Sequence, residues 1–90
     1  MTLTQQIVSA LEDHIRTEYG LSVTLPTYPH THLDLSDRVL FSTYVEGLYS
    51  STGDYLISAL SEDILSGKLV LPEGVYHELY SHVEIYFYTD

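Results

Sequence analysis

The longest apolar pattern in the chain runs from Ser36 to Ser66 and has the spacing of two consecutive amphipathic helices. In each half, apolar side chains recur three and four residues apart, which places them on one arc of a helix. We therefore predict helices over about 36–50 and 52–66 that together build the core. The inward residues are Leu40, Phe41, Tyr44, Val45 and Leu48 in the first half, and Leu56, Ile57, Leu60 and Ile64 in the second.

The predicted ends of these two helices rest on capping residues. Ser36 is the expected N-cap of the first helix, and Asp37 in its first turn faces the positive end of the helix dipole. Ser51 and Asp54 have the spacing of a capping box for the second helix. Gly67 is its expected left-handed C-cap.

The segment before this core begins with a third helical pattern. Residues 2–19 carry apolar side chains at helical spacing, Thr2 and Gln5 fit a capping box, and Gly20 follows as a stop. Residues 21–25 then alternate between apolar and polar side chains, which predicts a strand that ends at Pro26.

The segment after the core is richer in strand signals. A short strand is predicted over 68–71, and residues 83–88 form the clearest strand, with Glu84, Tyr86 and Tyr88 on one face. Residues 73–81 are ambiguous and favour one short helix, on which Tyr76 and Tyr80 lie four positions apart. The predicted fold is α+β: three or four helices packed on one face of a small two- or three-stranded sheet, forming a single domain over 1–90.

Charge narrows the classes of partner. Thirteen acidic residues face three basic ones (Arg16, Arg38 and Lys68), which gives a net charge of −10 on 90 residues. Direct binding to nucleic acid or to anionic membranes is disfavoured because like charges repel, whereas a basic protein surface is favoured. The chain has no cysteine, no apolar run that approaches a membrane span and no visible signal peptide, so we expect a cytoplasmic protein.

One short string has the spacing of metal ligands. In an extended segment, His30, His32 and Asp34 share a side and can converge on one Zn²⁺. The string resembles the metal-binding strings of metallo-β-lactamase-like and amidohydrolase-like hydrolases. However, Leu35 stands where the lactamase-type string has another histidine, and both families need a much longer domain. The alternative is a polar loop, and we predict no metal and no cofactor.

Other catalytic patterns are weaker. His77 and His82 are five residues apart, about 140° around a helix axis, and cannot chelate one metal as the four-residue spacing of zincins does. Glu62 and Asp63 are adjacent, so on a helix they diverge by about 100° and make poor acid–base partners. No serine has a visible base partner. We therefore expect that the chain is not an enzyme.

The tyrosines are the more informative feature. Nine tyrosines occur in 90 residues, and several stand next to acidic residues. Tyr86 and Tyr88 lie on the same predicted strand face as Glu84. Tyr76 and Tyr80 lie on either side of Glu78 in the sequence. A tyrosine ring beside a carboxylate is a favourable surface for arginine and lysine. The alternative is a sheet that is covered on both sides.

In its small size, acidity and lack of a catalytic motif, the chain resembles phage-encoded DNA-mimic inhibitors of the anti-CRISPR and anti-restriction type. The resemblance is one of size and composition over the whole chain. It implies binding to a basic groove of a nucleic-acid-handling protein, such as the DNA-binding site of a CRISPR effector. The candidate contact residues are Asp34, Asp37, Glu46, Asp54, Glu62, Asp63, Glu73, Glu78, Glu84, Tyr76, Tyr80, Tyr86 and Tyr88.

A second hypothesis is a generic acidic adaptor without nucleic-acid mimicry. It can be monomeric, or homodimeric through residues 83–88 if that strand lies at a sheet edge, since an exposed edge pairs readily with another chain.

Overall fold

A computed structural model describes residues 1–29 and 38–90 of the protein. Over these residues the fold is α+β, with two helices and one three-stranded antiparallel sheet. The elements in chain order are α1 (Leu3–Tyr19), β1 (Val39–Tyr44), α2 (Leu56–Ser66), β2 (Val75–Leu79) and β3 (Glu84–Thr89). The predicted class and sheet size are confirmed, but the described residues hold fewer than the three or four helices predicted.

The sheet has the strand order β1-β3-β2, so β3 lies at its centre. Phe87 of β3 is paired with Phe41 of β1 on one side and with His77 of β2 on the other. The strand predicted over 83–88 is present as β3, shifted by one residue, but it does not lie at a sheet edge, as the homodimer hypothesis required. Both of its edges are paired within the chain, so they are not open to a second copy.

The predicted helix over 36–50 is wrong where the structure describes it, because residues 39–44 form β1. The segment Val-Leu-Phe-Ser-Thr-Tyr is rich in β-branched and aromatic residues, which favour strands. In a strand, Phe41 and Thr43 point to the same side, and both are buried. Pairing with β3 thus overrides a helical spacing that the same apolar residues also satisfy.

Helix α1 matches its prediction closely. The Thr2 hydroxyl accepts a hydrogen bond from Gln5 N, and the Gln5 side chain accepts one from Thr2 N, which completes the capping box. Gly20 ends the helix with φ of 67°, a left-handed conformation that glycine adopts without strain. Ile7, Leu11 and Ile15 are fully buried on one stripe.

Helix α2 begins later than predicted. Its N-cap is Tyr55, without a side-chain capping hydrogen bond, so the capping box of Ser51 and Asp54 does not form. The Asp54 carboxylate instead accepts a hydrogen bond from the Thr52 hydroxyl, and the Asp54 backbone carbonyl accepts one from Ser50 N. The predicted C-cap is confirmed, since Gly67 is left-handed with φ of 86°.

Three other local predictions change. Residues 21–25 and 68–71 are not strands, although Leu25 and Leu69 are buried in the core. The ambiguous segment 73–81 contains strand β2 and not a short helix. Apolar residues of these irregular segments are buried in the core. Alternation of apolar and polar residues alone does not distinguish such a segment from a strand.

The core lies between the helices and one face of the sheet. Phe41 and Phe87 stack with ring centroids 5.1 Å apart on that face. They belong to the same buried cluster as the apolar stripes of α1 and α2. The predicted packing of helices against one sheet face therefore holds for the described elements, and the opposite face carries the glutamates and tyrosines of the strands.

Candidate tyrosine–carboxylate interface

The sheet face opposite the core brings together tyrosines and carboxylates from all three strands. The cross-strand pairs on this face are Tyr76 with Tyr88, Glu78 with Tyr86, and Tyr44 with Glu84. We call this surface the tyrosine–carboxylate face and define it by Tyr44, Glu46, Tyr76, Glu78, Glu84, Tyr86 and Tyr88.

Direct contacts order the centre of this face. The Tyr86 hydroxyl donates a hydrogen bond to Glu78 Oε2 at 2.5 Å. Burial and this hydrogen bond together raise the pKa of Tyr86 to about 12. The rings of Tyr76 and Tyr88 stack with centroids 5.7 Å apart. Neighbouring aromatic and carboxylate groups are therefore held in fixed relative positions.

The rim of the face is open to a partner. Tyr76 is 46% exposed and Tyr44 is 40% exposed, whereas Tyr86 at the centre is only 5% exposed. The Tyr44 hydroxyl donates to Glu46 Oε2 at 2.8 Å, which adds a further tyrosine–carboxylate pair at one end. Tyr28 forms an antiparallel bridge with Ser42, and residues paired in this way share a sheet face, so Tyr28 extends the rim beyond β1.

The face already contacts a guanidinium group from its own chain. The Arg38 Cζ atom lies 5.9 Å from the centroid of the Tyr88 ring, within the range of a cation–π interaction. Arg38 Nη1 also lies 3.8 Å from Asp90 Oδ1. The combination of an aromatic ring and a carboxylate around arginine is the chemistry expected for a basic partner.

A second group of acids lies away from the sheet face, between the C-terminal end of α1 and the start of α2. Glu18, Asp54, Glu62 and Asp63 line a groove of about 640 Å³ together with Lys68. We call this region the acidic groove. Asp54, Glu62 and Asp63, which were predicted to bind a partner, therefore lie in a different region from Glu78 and Glu84.

Asp63 lies in the acidic groove in a position that the sequence analysis did not predict. It was predicted to contact a partner, but it is buried at 8% exposure. Its Oδ2 atom lies 2.8 Å from His14 Nε2 and accepts a hydrogen bond from the Tyr19 hydroxyl at 2.5 Å. Burial acts to raise the pKa of Asp63, but these hydrogen bonds outweigh it and hold the pKa below its ordinary value. Asp63 thus joins α2 to α1.

Sequence reasoning also missed a serine–histidine pair. Ser61 Oγ on α2 lies 2.9 Å from His77 Nε2 on β2. Burial lowers the pKa of His77, although the nearby Glu78 carboxylate opposes that shift. A nucleophile and base in contact are a catalytic arrangement when a substrate can reach them. Ser61 is only 5% exposed, so the pair serves to connect α2 with the sheet.

The other described residues that were predicted to bind a partner lie outside both the tyrosine–carboxylate face and the acidic groove. Glu73 is exposed in the turn before β2, and the exposed Tyr80 follows the last residue of β2. The candidates His30, His32, Asp34 and Asp37 lie outside the described residues. Within residues 1–29 and 38–90, no group of three or more histidines and acids is arranged to hold a metal ion.

Each of the three basic residues lies near acidic side chains. Arg16 pairs with Asp13 on α1, Arg38 approaches Asp90, and Lys68 lines the acidic groove. On the tyrosine–carboxylate face, Glu78 is exposed, and its carboxylate accepts the hydrogen bond of the Tyr86 hydroxyl. The charge of Glu78 is therefore within reach of a cationic partner.

Comparisons with protein-family models, curated proteins and solved structures found no match to this chain. Among the helices of residues 1–29 and 38–90, none combines the length and apolar character that a membrane crossing requires.

Proposed function

We propose that this protein is an acidic inhibitor that binds a basic nucleic-acid-binding site of a bacterial defence protein, in the manner of an anti-CRISPR DNA mimic. Its contact surface is the tyrosine–carboxylate face. The observation that carries the proposal is the ordered meeting of tyrosine rings and carboxylates from three strands on one sheet face. Its place of action is the cytoplasm, and it needs no cofactor.

The chemistry of this face suits arginine and lysine. Ring faces attract the cations, carboxylates form charge-assisted hydrogen bonds with them, and tyrosine is enriched among the residues that dominate binding energy. The Tyr86–Glu78 contact fixes one such unit before any partner arrives. Less side-chain entropy is then lost on binding.

Net charge supports a nucleic-acid-binding target in particular. A charge of −10 steers the protein toward strongly basic clefts, which are common in proteins that hold DNA or RNA. Carboxylates on the rim can occupy positions that phosphates otherwise fill. A generic acidic adaptor would use the same face on a basic surface that has no nucleic-acid ligand.

The test is a DNA-binding assay on purified CRISPR effector complexes and restriction enzymes, with and without this protein. We expect it to displace DNA from at least one of them. Glu78→Gln should weaken that displacement, because it removes one charge from the tyrosine–carboxylate face. Glu62→Gln removes one charge from an exposed position in the acidic groove and should have little effect.

The two variants separate the alternatives. If both weaken displacement equally, net charge and not the tyrosine–carboxylate face determines binding. Binding to a basic protein that leaves its DNA in place would favour the adaptor. If none of these proteins is bound, the proposal for defence proteins is wrong.

A further inference from the structure

The outer edge of β2 has features of a docking site for an extended chain. β2 pairs with β3 on one side only, and within the described residues no strand pairs with its other side. Its sequence, Val-Tyr-His-Glu-Leu, contains no proline or lysine, and its pairing with β3 has no bulge. Proline, lysine and bulges are among the usual means by which natural sheet edges avoid pairing with another chain.

An apolar groove of about 480 Å³ runs beside this edge. Leu65 and Val70 line it and are 78% and 77% exposed, which is unusually high for large apolar side chains. Val75 and His77 contribute from the core side of β2, and Tyr76 contributes from the tyrosine–carboxylate face. The groove thus reaches both faces of the sheet at its open edge.

We propose that the β2 edge is a strand-addition site for an extended segment of the partner in which cationic and apolar residues alternate. An added strand would lie about 4.8 Å from β2 and would direct successive side chains to opposite faces of the sheet. Side chains on one face would enter the apolar groove beside Leu65 and Val70. Those on the other would lie beside Tyr76 and Glu78, whose ring and carboxylate select arginine or lysine.

Charge distinguishes this occupant from a second copy of the chain. Two copies paired through β2 would bring together two molecules that each carry −10. The exposed Glu78 on β2 and Glu73 just before it would add to this repulsion. A cationic segment instead gains attraction from the same residues. The inference rests on the proposed function only for the basic character of the partner.

Synthetic peptides test the mode of binding. The probe is a fluorescent peptide of alternating arginine and valine, and its binding is followed by anisotropy. One control has the same composition with all arginines grouped at one end. The other is the alternating peptide with every backbone nitrogen methylated, which keeps the charge but removes the backbone donors on both edges of the strand. We expect the alternating peptide to bind at least about tenfold more tightly than either control.

Protein variants locate the binding site. Val70→Asp places a charge in the groove, and Thr24→Asp places the same charge at an exposed position that does not line it. General electrostatic attraction predicts that both variants bind the cationic peptide more tightly. Strand addition predicts that Val70→Asp weakens binding about fivefold or more while Thr24→Asp does not. Both positions are exposed, so the fold is expected to survive.

The outcomes separate this inference from the proposed function. If all cationic peptides bind equally, whatever their order or methylation, strand addition is wrong and acidic binding of basic surfaces stands. If Val70→Asp binds as tightly as Thr24→Asp, the groove is not the site. Concentration-dependent dimerisation that the peptide does not disrupt would assign the edge to a second copy and overturn the inference. Displacement of DNA from effectors is measured separately and does not depend on these results.

Discussion

Among single residues, Asp63 is an acid that two neighbouring side chains hold in place. Its carboxylate is buried and contacts both His14 and Tyr19, so one side chain of α2 joins two positions of α1. An ionised carboxylate only accepts hydrogen bonds, so His14 Nε2 donates in this contact. The neighbouring Glu62 is exposed, and adjacent helix positions therefore have opposite roles.

The first prediction compares these two positions. Asp63→Asn should lower the free energy of unfolding by about 1–3 kcal/mol, because it weakens the acceptor of two partly buried donors. Glu62→Gln makes the equivalent change at the exposed position and should stay within about 0.5 kcal/mol of the parent protein. Urea unfolding followed by circular dichroism measures both. Equal effects would show that Asp63 contributes only through net charge.

The second prediction concerns the pH dependence of the same residue. Because the pKa of Asp63 is lowered in the folded protein, the unfolded state takes up its proton more readily. Its contribution is therefore complete above the ordinary carboxyl pKa of about 3.9 and is lost as pH falls through the lowered value. The stability difference between parent and Asp63→Asn should narrow over that acidic range. A constant difference would contradict the lowered pKa.

Thr43 provides a third prediction. It is fully buried on the core face of β1, and within the described residues its hydroxyl has no hydrogen-bond partner. Replacing it with the isosteric valine should raise the free energy of unfolding by about 1 kcal/mol, because a buried unsatisfied hydroxyl is removed. Thr24→Val at an exposed position is the control and should have little effect. Destabilisation by Thr43→Val would show that the hydroxyl is satisfied in solution.

Among the elements, those with matched local signals were predictable from the sequence. Helix α1 has a complete capping box, an apolar stripe and a terminal glycine that agree with one another. Strand β3 alternates clearly, with Ile85 and Phe87 buried on one face. β1 was not predictable, because Phe41 and Tyr44 fit a helical arc as well as a strand. Its state depends on pairing with β3, whose partner residues lie 40 to 49 positions later in the chain.

The difference between local sequence signals and long-range strand pairing also explains how much of the tyrosine–carboxylate face could be predicted. Glu78 and Glu84 were placed beside tyrosines because those residues are close in sequence. Tyr44 and Glu46 join the face only through β1, so a helical interpretation of 36–50 separated them from the sheet.

The fourth prediction tests the end of α2. Gly67 has φ of 86°, a region in which a Cβ atom is strained. Gly67→Ala should therefore lower the free energy of unfolding by about 1–2 kcal/mol. Glu62→Ala at an exposed position of the same helix should change it by less than about 0.5 kcal/mol. An unchanged midpoint for Gly67→Ala would contradict the left-handed cap.

Over the described part of the molecule, acids occur both in the acidic groove and on the tyrosine–carboxylate face. The acidic groove holds part of the charge around Lys68, while the sheet face opposite the core combines charge with aromatic rings. This division leads to the claim that one face, and not net charge alone, selects the basic partner. Replacing an exposed acid should consequently have different effects in the two regions.

The most direct measurement is displacement of DNA from a sensitive defence protein over a range of salt concentrations. We predict that the protein competes with DNA and that its binding weakens by at least about tenfold between 50 and 200 mM salt, as for a phosphate mimic. Glu78→Gln should compete less well than Glu62→Gln at every concentration. Binding that is insensitive to salt and leaves the DNA in place would contradict the account.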